Sequence, residues 1–160
     1  MSTTATGPAN DAVETLTLPA RTVMGMREHV AAAELPDFFA RAIPAVAREL
    51  AQCGATPAGP PVAVYSHEVE RAFDVTVGFP VAGVTTAAGT LVAERLPAGR
   101  AVSAEHLGPY ETLPDAYAAL GRWFGDHALN PPEIMWEEYL VGPETASESG
   151  YRTRIVCPLG

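Results

Sequence analysis

Two adjacent carboxylates in an otherwise apolar and aromatic run are the groups in this sequence best placed to do chemistry. Residues 134 to 141 read Ile-Met-Trp-Glu-Glu-Tyr-Leu-Val, preceded by Asn130-Pro131-Pro132 and followed by Gly142-Pro143. Such a run between chain-breaking residues reads as a strand. Side chains alternate along a strand, so Met135, Glu137 and Tyr139 share one face while Trp136, Glu138 and Leu140 share the other. A carboxylate among aromatics is costly to bury unless a cation or a hydrogen-bond donor meets it. Whichever glutamate faces inward is therefore a candidate functional group. The alternative is structural: one glutamate as a solvated edge charge, the other capped by a buried arginine.

Other chemistries have less support. The chain of 160 residues carries 19 acidic and 10 basic residues, a net charge of −9 spread evenly along its length. An acidic surface repels phosphate backbones, so direct nucleic-acid binding is not expected, whereas cationic ligands would be drawn in. Every basic residue is an arginine, which argues against Schiff-base chemistry and a phosphate-binding loop. His29, His67, His106 and His127 lack metal-ligand spacing, and neither a metal nor another cofactor is expected. Ser66 and His67 are strand neighbours facing opposite ways, not a nucleophile and its base. Cys53 and Cys157 form no motif and read as inert thiols. No apolar run is long enough for a membrane span and no basic-then-apolar leader opens the chain, so the expected location is the cytosol.

The surrounding elements follow from periodicity. Residues 1–12 look like a disordered lead, and residues 13–160 like a single domain. A strand is expected from about Thr15 to Val30, bent at Pro19 or Gly25. A helix opens at Leu35-Pro36-Asp37, keeps apolar spacing through Phe39, Ala42, Val46, Leu50 and Cys53, and closes at Gly54. Pro44 should kink it or delay its regular part. Strands Pro61 to Ser66 and Phe73 to Val81 follow, then a linker from Gly83 to Gly89. An extended segment from Leu91 to Leu107 turns at Pro97-Ala98-Gly99. A second helix runs from about Leu113 to Ala128, with Thr112 as N-cap, Asp115 completing a capping-box-like pattern and an apolar face of Leu113, Tyr117, Leu120 and Phe124. After the glutamate strand, a last strand spans Tyr151 to Leu159.

The order repeats, and so does the sequence. Glu28-His29-Val30 with Leu35-Pro36-Asp37-Phe38-Phe39 recurs as Glu105-His106-Leu107 with Leu113-Pro114-Asp115-Ala116-Tyr117. The fold class is therefore α+β: two strand-helix-strand-strand units, about residues 13–82 and 90–160, forming antiparallel sheet with pseudo-twofold symmetry and a ligand cleft at the seam. In the first copy Tyr65 parallels Tyr139, but no acid parallels Glu137.

Four segments together resemble the GyrI-like small-molecule-binding domains, the effector-binding modules also found on AraC-type and MerR-type regulators. They are Phe-Asp-Val-Thr-Val-Gly-Phe-Pro-Val at 73–81, Pro-Ala-Gly-Arg-Ala-Val-Ser-Ala-Glu-His-Leu-Gly-Pro-Tyr at 97–110, Trp-Glu-Glu-Tyr-Leu at 136–140 and Tyr-Arg-Thr-Arg-Ile-Val-Cys-Pro-Leu at 151–159. The resemblance implies a pocket for hydrophobic, amphipathic, often cationic drug-like molecules, with Glu137 as the sensing carboxylate and Tyr139 beside it. Ligand-lining candidates are Glu137, Tyr139, Tyr110, Trp136, Tyr65, Phe73 and Trp123. With some fourteen residues ahead of the first strand, the chain is expected to be a stand-alone module without a helix-turn-helix. Some stand-alone members resemble hydrolases that open cyclopropane-bearing DNA-alkylating natural products. For that alternative Glu137 and Tyr139 are the expected catalytic pair. A protein-interaction module of the gyrase-inhibitor type is a second alternative.

Overall fold

A computed structural model describes residues 11–69, 72–82, 89–143 and 145–159. Most of the expected lead, the core of the 83–89 linker and the His67 side chain lie outside the described residues. Eight strands form one antiparallel sheet: β1 (Val13–Leu18), β2 (Arg21–Ala31), β3 (Val62–Val69), β4 (Ala72–Val81), β5 (Val92–Leu96), β6 (Gly99–Leu107), β7 (Ile134–Val141) and β8 (Arg152–Pro158). Their order across the sheet is β1-β6-β8-β7-β3-β4-β2-β5. Two helices, α1 (Leu35–Gln52) and α2 (Leu113–Asp126), cover one face.

The two faces differ. On the helix side, α1 packs Phe38, Ala42, Val46 and Leu50 onto β2, β3 and β4, while α2 packs Ala116, Leu120 and Phe124 onto β6 and β8. On the opposite side, one cluster joins Trp136 of β7 to Val62 and Val64 of β3, Val23 of β2 and Val156 of β8. It also takes Leu16 and Leu18 from β1 and Leu96 from β5, the two edge strands. Side chains from both edges can meet only if the sheet curls over that face. The curl buries a second apolar surface without a further layer of helices.

The expected strand from Thr15 to Val30 is two strands. Pro19 has no N–H to donate to a ladder, and the chain breaks there. β1 then pairs with β6 near one edge while β2 pairs with β4 and β5 near the other. Pro44 lies inside α1 without ending it. The α1 stop is as expected: Gly54 takes φ +75° and Ala55 N–H donates to the Leu50 carbonyl at 2.9 Å. The capping box at α2 does not form. Thr112 occupies the N-cap, but its hydroxyl donates to the Pro109 carbonyl at 2.9 Å and lies against His106 instead of capping the helix.

Gly25 and Gly78 face each other across β2 and β4. A Cβ on Gly78 would overlap the Met24 carbonyl oxygen, and one on Gly25 the Val77 carbonyl oxygen. Both clashes are with backbone, which cannot rotate away. Gly78→Ala should cost about 3 kcal/mol, read as a lower urea midpoint. Gly121→Ala, at a helix position with nothing within 4 Å of the added methyl, should instead raise stability by about 0.5–1 kcal/mol.

Candidate ligand-binding cavity

The alternation on β7 puts its two glutamates into different surroundings, and both are out of water, Glu137 at 6 % and Glu138 at 7 % exposure. Glu138 points into the curl. Its Oε2 accepts from Arg21 Nη2 at 2.8 Å and from Trp136 Nε1 at 3.1 Å, and Arg154 Nε sits 3.1 Å from Oε1. Two guanidinium groups thus match one carboxylate. Glu137 faces the helices and is met by phenols. Tyr139 Oη donates to Oε1 at 2.6 Å, and Tyr117 Oη, from α2, donates to Oε2. Among the described residues no arginine or histidine pairs with it, in contrast to Glu138.

The protonation balance follows from those contacts. Burial pushes the Glu137 carboxyl above its ordinary range, while hydrogen bonding from Tyr117, Tyr139 and Tyr65 pulls the other way. Burial, and then the nearby Glu137 charge, push the phenols of Tyr65, Tyr117 and Tyr139 well above theirs, so they remain donors.

Above this carboxylate lies a cavity of about 570 Å³. β7 supplies Glu137 and Tyr139, and β3 supplies Tyr65. α1 forms one wall with Leu35, Pro36, Phe39, Ala40, Ile43 and Pro44. Tyr110, in the turn before α2, and Leu113 form the other, with Pro61, Gly142 and Pro143 completing the lining. Glu137 is the one carboxylate among these residues. The aromatic wall is continuous: Tyr110 lies edge-on to Tyr139 at 6.0 Å between ring centroids, Phe39 to Tyr139 at 5.9 Å, and Tyr151 backs Tyr110 at 5.0 Å. Pro44 has an account here. Its missing N–H leaves the Ala40 carbonyl without a helical donor in the wall that both residues line.

The structure brings together four of the seven lining candidates, Glu137, Tyr139, Tyr110 and Tyr65. Phe73 stands one layer back, edge-on to Tyr65 at 5.6 Å. Trp136 projects from the other face of β7 into the curl, as strand alternation requires, and does not line the cavity. Trp123 lies on α2, stacked on His127 at 4.0 Å, and does not line it either. Tyr117 and Phe39 were read from the sequence only as helix-face residues. A tyrosine in an apolar helix stripe needs a partner for its hydroxyl, and that was the available signal. No cluster of three potential metal ligands occurs among the described residues.

A family model for the GyrI-like small molecule binding domain matches residues 11–159. The chain belongs to that family. Its fold is similar to the C-terminal domain of EcmrR, at 22% identity and TM-score 0.78, covering 92% of this chain and 96% of that one. It is also similar to SAV2435 bound to tetraphenylphosphonium, at 12% identity and TM-score 0.68, with 92% and 93% coverage. A third likeness is to a hydrolase from Listeria innocua, at 13% identity and TM-score 0.62, with 97% and 94% coverage. No curated protein sequence matches the chain. No helix among the described residues is long and apolar enough to cross a membrane.

A carboxyl raised by burial favours folding in its protonated form, so that contribution is present at low pH and fades as pH rises through the raised value. Each unit of raise is worth about 1.4 kcal/mol, and each kcal/mol about 2–4 °C in Tm for a chain of this size. Glu137→Gln should therefore melt progressively higher than the unsubstituted, unliganded protein as pH rises through the raised value, with the two curves converging as pH falls toward the ordinary carboxylate range. Calorimetric scans across that range measure it.

Proposed function

We propose that this domain binds hydrophobic, amphipathic organic cations in the cavity, with Glu137 complementing the ligand's charge. The observation that carries the reading is a buried carboxylate in an apolar cavity, hydrogen-bonded by neutral phenols and matched by no cation among the described residues. Phenols satisfy its lone pairs but leave its charge in place, unlike the arginines around Glu138. The rings of Tyr110, Tyr139 and Phe39 add faces and edges on which a cation and its aromatic groups can rest, worth roughly 0.5–2 kcal/mol per cation–π contact. The volume suits a drug-sized molecule.

The seam reading also has support. Exchanging β1 with β5, β2 with β6, β3 with β7 and β4 with β8 reverses the strand order onto itself, the pattern expected of a pseudo-twofold repeat. The cavity then spans β3 and β7, the two strands at the centre of that order, with Glu137 supplied by the second copy alone. The free thiols, Cys53 exposed and Cys157 buried, suit a protein of the cytosol.

Hydrolysis is the second reading, favoured by the 2.6 Å hydrogen bond between Tyr139 and a carboxyl held above its ordinary range. Such a pair can protonate a conjugated carbonyl and guide water to a strained cyclopropane. The gyrase-inhibitor type of interaction module has less behind it, because a deep cavity is not what a protein-docking surface needs.

Titration with tetraphenylphosphonium and an uncharged tetraphenyl analogue of the same shape tests the first reading. Glu137→Gln should lower cation affinity at least about tenfold and leave the neutral analogue within about twofold. Equal losses would sink the role given to Glu137. Mass spectrometry of cyclopropane-bearing electrophiles held in large excess tests the second: many turnovers of water addition, lost in Glu137→Gln, would make the protein a hydrolase.

A further inference from the structure

His106 is a buried polar group that the cavity does not use. It is 2 % exposed, on β6, and both ring nitrogens are engaged: Nδ1 lies 2.5 Å from Asp11 Oδ1, and Nε2 lies 2.7 Å from Thr112 Oγ1. A hydroxyl has one proton, and the Thr112 hydroxyl is also 2.9 Å from the Pro109 carbonyl, which can only accept. All three contacts are hydrogen bonds only if Nε2 donates to Thr112, and Nδ1 must donate to the Asp11 carboxylate. The ring that satisfies the whole set is the imidazolium. Asp11 is set for this role, with φ 63° and its N–H on the Glu105 carbonyl at 3.0 Å.

What the ring holds is the turn carrying Tyr110. Pro109 precedes the Tyr110–Thr112 turn and Thr112 ends it, and Tyr110 is the cavity-wall ring packed on Tyr139 and Tyr151. The first copy of the repeat has no such device: His29 is exposed, paired with Asp74 across β2 and β4, and its following turn bears no tyrosine.

We propose that His106 is a positioning residue: its doubly protonated ring ties the segment ahead of β1 to the Tyr110 turn, so ligand affinity depends on the charge of a side chain the ligand never meets. Its link to affinity rests on the cavity being the cation site. The neighbouring charged groups are Asp11, Glu105 with its partner Arg152 on β8, and Glu111 and Asp115 around the start of α2. Among the described residues only Asp11 makes an ion pair with the ring. Deprotonation removes one of the two donors and slackens the turn.

The test has two arms. Nitrogen-15 NMR of the imidazole in the unsubstituted protein should show both nitrogens protonated, and on raising the pH the Tyr110–Tyr151 ring contacts should weaken in the same transition as the ring. A neutral ring protonated only at Nδ1 throughout, or tyrosine contacts indifferent to the transition, would overturn the proposal. In the second arm tetraphenylphosphonium is titrated across pH, since its charge is constant. Affinity should fall above the His106 transition, and this limb should vanish in His106→Gln. Thr112→Val should weaken binding about tenfold, the size expected for a lost charged hydrogen bond, with Thr112→Ser restoring it. Equal affinities for the two Thr112 variants would overturn it. If His106→Gln does not fold, the NMR titration and the Thr112 pair decide. If tetraphenylphosphonium does not bind at all, the cation reading fails, and the NMR arm alone decides the role of His106.

Discussion

A carboxylate taken out of water must be met by donors or by positive charge, and β7 carries two such groups in succession. Because they are neighbours on a strand, no single environment can serve both. Glu138 receives hydrogen bonds from Arg21 and the Trp136 indole and an ion pair from Arg154, a set that ties β7 to β2 and β8 inside the curl. Glu137 receives phenols from its own strand and from α2. The first arrangement neutralises charge, whereas the second supplies hydrogen bonds and leaves the charge where it is. The helix, strand and turn that bring the phenols and rings to Glu137 are also the walls of the cavity, so solvating this one group and building the pocket are largely the same task.

Local physics made much of this legible from residue order. Alternation alone set Glu137 with Tyr139 and apart from Trp136 and Glu138. Spacing and punctuation located both helices, and Pro97-Ala98-Gly99 divided β5 from β6. Long-range pairing was not legible. Nothing near Pro19 tells that β1 crosses to β6 while β2 stays with β4 and β5, because that choice is made by partners some 40 to 90 residues away. Nor does a hydrophobic stripe say whether a residue packs against a core or bounds a hollow. Phe38 and Phe39 are neighbours of the same type, yet the first is sealed under α1 and the second lines the cavity.

Aromatic residues show the same limit. Trp136 and Trp123 were drawn into the candidate site by residue type, but direction excludes them: one projects from the reverse face of the sheet and the other lies along α2. Tyr117 was overlooked for the opposite reason, since its ring fitted the helix stripe and only its hydroxyl was out of place. For His106 the repeat signalled an equivalent of His29, yet one copy is exposed and the other buried between Asp11 and Thr112. The two copies diverge where the second acquires Gly108-Pro109-Tyr110.

The curl has an effect that reaches beyond packing. Trp136 stands directly behind Glu137 on β7, and its ring belongs to the cluster that draws the two edge strands together. The curvature of the cavity floor is thus set in part from the reverse side of the sheet, by side chains that do not line the cavity. A lineage could reshape the cavity through Trp136, Val64 or Leu96 while every residue lining it stayed the same.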